Sequence, residues 1–164
     1  MKALPLPSQE RLKELFDYNP KNGVFTYKVK TAIGVKVGTE AGCKRKYRLI
    51  NVDRIKYRAH RLAWMYMTGE DPGDYQIDHY DKNPLNNKFI SLRKATNSQN
   101  TRNKDKLINN TSGYKGVTKR RGGYLSKIKH EGRSIYLGDF KTAEEAHKAY
   151  CEAADKYHKE FASY

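Results

Sequence analysis

The spacing of apolar positions changes several times along the chain, and each change marks a predicted element. After Ser8, a residue suited to cap a helix, Leu12, Leu15 and Phe16 fall on one helical face. This predicts a short helix ended by the turn at Asn19-Pro20. Lys21-Asn22-Gly23 then leads into VFTYKV, where Phe25, Tyr27 and Val29 alternate as in a strand. Gly34, Gly38 and Gly42 punctuate the next segment. Two alternating runs, 47–52 and 55–60, meet at Asp53-Arg54 and predict a hairpin. HRLAWMYMT, residues 60–68, predicts a packed helix closed by Gly69.

Beyond Asp71-Pro72-Gly73, residues 76–80 predict a strand, 81–87 a polar loop, 89–92 a return strand and 97–104 a helix. Leu85, Phe89, Ile90 and Leu92 are the expected apolar packing beneath this unit. Three alternating runs follow, YKGVTKR, YLSKIKH and RSIYLGDF, separated by Arg121-Gly122-Gly123 and Glu131-Gly132. They predict a three-stranded antiparallel sheet. Thr142 and Glu145 fit a capping box, and Ala143, Ala146, Tyr150, Ala153, Ala154, Tyr157 and Phe161 recur at helical spacing behind it. The expected fold class is α+β with two domains. Residues 1–104 form the first, with a basic hairpin at 44–61 and a core at about 75–104; 105–112 is a linker and 113–164 the second.

Charge narrows the partner. Lys and Arg number 33 against 18 Asp and Glu, a formal net charge of +15, which favours a polyanion and, by default, nucleic acid. Residues 44–61 concentrate cations around Tyr47 and Tyr57, with Asp53 the only acid. The stretch reads either as a solvated edge protected by charge or as a phosphate-contacting surface through Arg45, Arg48, Lys56 and Arg58. No apolar run approaches the roughly 20 residues that span a bilayer, and the N-terminus is too polar for a signal peptide, so a cytosolic, unsecreted protein without a membrane partner is expected. Cys43 and Cys151 lie far apart with no CxxC pair, which argues against a disulfide framework or a cysteine zinc site.

The candidate chemistry sits in QIDHYDKNPLNNKFISLRKATNSQNTRN, residues 76–103. A carboxylate (Asp78), an imidazole (His79) and a carboxamide cluster suit one hard divalent cation and one general base, as phosphodiester hydrolysis requires. Imidazole is the side chain whose ordinary pKa lies nearest neutrality. In a regular strand Asp78 and His79 face opposite ways, so a bulge is expected if both serve one phosphate. Taken alone, an Asp-His pair is also compatible with a structural role. Asn83, Asn86 and Asn87 read first as turn formers. Arg93 and Arg102 suit phosphate contact or mere solvation, and His60 reads as a core or capping residue.

DHYD, NPLNNK and SLRKATNSQNTRNK, with YNPKNGVFTYK and AHRLAWMYMTGEDP upstream, resemble the HNH endonucleases, in particular the phage and intron-encoded homing group with the ββα-metal fold. That resemblance implies His79 as general base, Asp78 and Asn100 as ligands of one Mg²⁺ or Mn²⁺, and double-stranded DNA as partner, without a small-molecule cofactor. It implies a phage protein acting in the bacterial cytosol, with a monomer favoured over a dimer. The family places Asn where this chain has Ser91, so Ser91 takes the position that steadies the base, with neighbouring Asn86 or Asn87 available to compensate. YKGV, YLSKIK and IYLGDFKTAEEAHKAY are similar to an AP2-type DNA-binding domain, which implies DNA contact through Thr118, Arg120, Lys127, Lys129, Ser134 and Tyr136. Two other readings stay open: a catalytically weakened relative that only binds DNA, and an RNA-binding protein, which the charge alone fits equally well.

Overall fold

The computed structural model describes residues 4–103 and 110–164; of the side chains of Arg102 and Asn103 nothing is described. The chain divides into two compact units, 1–97 and 98–164. The expected linker, 105–112, falls largely outside the described residues. Both units mix helices with antiparallel sheet, so the α+β class holds.

The first unit opens with α1 (Gln9–Leu15), whose cap Ser8 accepts a hydrogen bond from the Arg11 N–H. The helix stops earlier than its sequence suggests. Phe16 is already extended, and β1 (Phe16–Asn19) alternates buried and exposed residues as it pairs with β2 (Val24–Tyr27). Phe16 therefore belongs to the strand, where a period of two places both Phe16 and Tyr18 inside. A small sheet follows in the order β3 (Cys43–Lys44), β4 (Arg48–Val52), β5 (Ile55–Arg58). Asp53 and Arg54, both at positive φ (49° and 69°), make the two-residue turn between β4 and β5 that matches strand twist.

Next comes α2 (Ala59–Thr68), which ends at Gly69, whose φ of 71° lets its N–H reach back to the Met65 carbonyl. Leu12, Phe16, Phe25, Ile50 and Leu62 are fully enclosed in the core these elements share. Each such side chain contributes about 1.5–3 kcal/mol by leaving water. This core supports β6 (Gln76–His79) and β7 (Leu92–Ala95), an antiparallel pair.

The return strand starts three residues later than expected, because Phe89–Ser91 forms a single 3₁₀ turn. Phe89 packs on Trp64 at 5.8 Å between ring centroids, and its N–H is held by the Pro20 carbonyl. The turn leaves Ile90 85% exposed, and Leu85 is exposed as well. Of the four residues expected beneath this unit, Leu92 is buried and Phe89 partly so. α3 (Asn97–Asn103) continues the chain.

In the second unit β8 (Val117–Arg120), β9 (Gly123–His130) and β10 (Arg133–Phe140) form an antiparallel meander. α4 (Ala143–His158) is capped reciprocally by Thr142 and Glu145, as the capping box predicts. Its small residues Ala153 and Ala154 admit Ile128, Ile135 and Leu137 from the sheet, with Tyr150 completing the cluster. One sheet face is thereby covered. Among the described residues no helix is long and apolar enough to cross a membrane.

Candidate active site

β6 and β7 pair in unbroken register from Gln76↔Ala95 to His79↔Leu92. The expected bulge at Asp78 is absent, so Asp78 and His79 alternate to opposite faces of a regular strand. Both are nevertheless buried, at 6% and 7% exposure, because the pair is covered on both sides. Asp78 lies directly across from Arg93, and the Arg93 Nε donates to Asp78 Oδ2 at 3.1 Å. Arg93, expected to contact phosphate, is thus tied to the carboxylate.

On the other face, the His79 ring meets His60 at 4.7 Å, nearly perpendicular, and Tyr47 at 6.4 Å. Tyr47 in turn stacks under the Arg58 guanidinium at 4.5 Å. His60 is 4% exposed and begins α2, so that helix and the basic hairpin together wall the imidazole. Burial pushes the His79 pKa below its ordinary value. The nearby Asn87 carboxamide and the carboxylates of Asp81 and Asp78 pull the other way. A histidine set in this way is neutral at neutral pH and can accept a proton. His60 is pushed further down by deeper burial, by His79 whenever that ring is protonated, and by the cations Arg58 and Arg61.

The loop between the strands is held by its own amides. Asn86 Nδ2 donates to Ser91 Oγ at 3.0 Å and also to Asp81. Asn87 is only 2% exposed, and its Nδ2 donates to the Leu85 carbonyl at 3.1 Å. Ser91, expected to steady the base, instead fixes the loop through Asn86, whereas the carboxamide beside His79 comes from Asn87. The sequence reads Asn87 first as a turn former and, with Asn86, as a residue available to compensate for Ser91; the paired Asn residues of NPLNNK are the signal. His60 and Tyr47 carried no such signal, because their approach to His79 depends on how α2 and β4 pack.

The expected DNA contacts separate into two groups. Arg48 is buried: Nη1 donates to the Ala41 carbonyl at 2.9 Å and Nη2 pairs with Glu40 at 2.7 Å, so this guanidinium is engaged within the fold. Arg45, Lys56 and Arg58 are exposed. In the second unit Thr118, Arg120, Lys127, Lys129, Ser134 and Tyr136 are all exposed, and the pairs Ser134↔Lys129 and Tyr136↔Lys127 place them on the sheet face opposite α4. Tyr136 Oη donates to Asp139 at 2.7 Å. Asn100 is half-buried on α3, beyond the division at Asn97. The Arg102 side chain lies outside what is described.

The Asp78 carboxylate would supply oxygen donors, the kind a hard divalent cation prefers, and its pairing with Arg93 does not exclude such an ion.

Comparison with known proteins bears on the same segment. Residues 57–102 match the HNH endonuclease family. The chain is 32% identical over 116 residues to a protein of Acanthamoeba polyphaga mimivirus named as an uncharacterized HNH endonuclease, covering 70% of this chain and 60% of that protein. It is 37% identical over 78 residues to protein 3.8 of Escherichia phage T7, covering 46% of this chain and 64% of that one. The chain thus spans less than two thirds of the length of these relatives. No solved structure gives a significant match. The matched segment runs from β5 through α2, the β6–β7 pair and α3, so residues 57–102 are an HNH endonuclease-family domain.

Proposed function

We propose that this protein is a divalent-metal-dependent DNA endonuclease of homing type, with His79 as its general base. One observation carries the reading: a buried imidazole, held neutral by burial with the Asn87 carboxamide beside it, next to the buried carboxylate Asp78. In this reading His79 takes a proton from a water that attacks phosphorus, and the imidazolium so formed is stabilised by Asn87, Asp81 and Asp78. Asp78 would hold the cation, and Asn100 is the second ligand that the sequence motif assigns. When bound, the ion supplies charge neutralisation at the scissile phosphate and the leaving 3′ oxygen. Arg93 orients the Asp78 carboxylate through their ion pair.

The second unit positions the substrate. Its sheet, similar in sequence to AP2-type domains, presents Arg120, Lys127 and Lys129 with Thr118, Ser134 and Tyr136 on one open face, suited to lie along duplex DNA. Arg45, Lys56 and Arg58 add phosphate contacts in the first unit. One such catalytic unit per chain makes the expected product a nick.

Nicking of supercoiled plasmid tests the proposal. Nicking is expected with Mg²⁺ or Mn²⁺, and is lost on chelation and in His79→Ala, while gel shifts persist. The Arg93–Asp78 ion pair favours a second reading, in which the carboxylate is committed to Arg93 and the chain binds DNA without cutting it. Gel shifts with no cleavage at any divalent ion would select that alternative.

A further inference from the structure

The segment matching the nuclease family begins at residue 57, yet three contacts from residues 18–23 converge on residues 87–89 of the active-site loop. Tyr18 Oη donates to the Asn87 carbonyl at 2.6 Å, a buried bond between residues 69 positions apart. The Phe89 N–H donates to the Pro20 carbonyl at 3.1 Å. Gly23 lies against the same peptide, and a Cβ built on it would stand 2.4 Å from both the Asn87 carbonyl carbon and the Lys88 nitrogen. No side chain fits there, and the φ of 76° at Gly23 independently favours glycine.

The part that makes these contacts is itself stiff. The Gly23 N–H is bonded to the Asn19 carbonyl at 2.8 Å, and Asn19 Oδ1 accepts from the Lys21 N–H at 3.0 Å. Tyr18 packs on Phe25 at 4.5 Å and on Tyr66 at 5.6 Å. The β1–β2 hairpin is therefore a rigid clamp on the backbone of Asn87. From that backbone the side chain is fixed in turn, with Nδ2 on the Leu85 carbonyl and the carboxamide oxygen buried next to the His79 imidazole, without an aligned hydrogen bond among the described residues.

We propose that the β1–β2 hairpin is a brace that positions Asn87 and, through it, orients the His79 imidazole for proton abstraction. Tyr18, Gly23 and Asn87 are positioning residues for the reaction. The inference rests on His79 being the base. It explains why a loop whose Ser91 lacks the family carboxamide still presents one to the imidazole.

Single-turnover cleavage at saturating DNA, measured beside DNA affinity and thermal stability, tests the brace against a purely structural role. Asn87→Leu and Gly23→Ala are expected to lower the cleavage rate about 10- to 100-fold, as a misplaced reacting group does, with DNA affinity unchanged. Asn87→Asp keeps an acceptor oxygen and is expected to recover most of the rate lost in Asn87→Leu. Tyr18→Phe retains the ring packing and folding, and is expected to lower the rate about threefold or more. The brace is overturned if Tyr18→Phe and Gly23→Ala cleave at the parent rate while His79→Ala is inactive, or if Asn87→Asp and Asn87→Leu fall equally. Undiminished cleavage by His79→Ala would instead remove the base assignment on which the brace depends.

Discussion

The β3–β5 sheet and the β8–β10 sheet are both rich in Lys and Arg, but they use their cations differently. In the first, Arg48 is buried on Glu40 and the Ala41 carbonyl, and Arg58 lies over Tyr47. Arg61, just beyond, pairs with Asp71, and the hairpin's one acid, Asp53, is taken by Arg11 in a two-point pair at 3.0 and 2.6 Å. Of these cations, Arg58 packs on the ring that faces His79, and Arg48 and Arg61 are paired within the fold. In the second, α4 takes one face of the sheet, and Arg120, Lys127 and Lys129 remain exposed on the other. A basic strand in sequence thus reports charge; burial of its neighbours decides whether that charge serves the fold or a partner.

The largest effect that separates these uses is expected at Arg48. Removing it leaves Glu40 and the Ala41 carbonyl without their cation, and Arg48→Ala should lower unfolding free energy by about 3 kcal/mol. Denaturant unfolding reads this as a lower midpoint, and the protein that stays folded should bind DNA as the parent does. Lys127→Glu combined with Lys129→Glu should act in the opposite manner. Stability should hold, the DNA dissociation constant should rise about tenfold or more near 0.1 M salt, and the salt slope of binding should fall by about two ions. An Arg48→Ala protein of full stability and weakened DNA binding would break the comparison.

A third test uses the wall itself. Folded His60, pushed well below the ordinary value of 6.5, binds fewer protons than unfolded His60 as pH falls beneath that value. Stability that is present above pH about 6.5 is therefore lost as pH falls toward the depressed folded pKa. Thermal melts between pH 7 and 5 should decline steeply in the parent and less so in His60→Gln; equal slopes would contradict the burial assigned to His60. The smallest effect is expected at Ser91→Asn. With Asn87 already beside the imidazole, the added carboxamide should change the cleavage rate by less than about twofold, and a large gain would return the steadying role to position 91.

Much of this arrangement was legible in the sequence because it is locally encoded. The turn at Asp53-Arg54, the glycine stop at Gly69 and the Thr142–Glu145 capping box each depend on a few adjacent residues. The outward set of the second sheet follows from strict alternation. What escaped was non-local. Phe16 left its helix because a strand partner at Tyr27 was available, and β7 began late because Phe89 was claimed by Trp64 and Pro20. Arg48 looked like its neighbours until Glu40 and Ala41 closed on it. Within the site, Asp78 and His79 were legible from their motif and Asn87 in part from the paired Asn residues of NPLNNK, whereas His60 and Tyr47 reach the imidazole through tertiary packing, which no short pattern of residues announces.

The central claim is that His79 is the base of a DNA-cutting site, and the single-turnover rate of plasmid nicking with Mg²⁺ in the parent and in His79→Ala tests it most directly. Loss of a general base should slow cleavage by about 10²- to 10⁴-fold while DNA affinity stays at the parent value. A His79→Ala protein that nicks within about threefold of the parent rate would contradict the account.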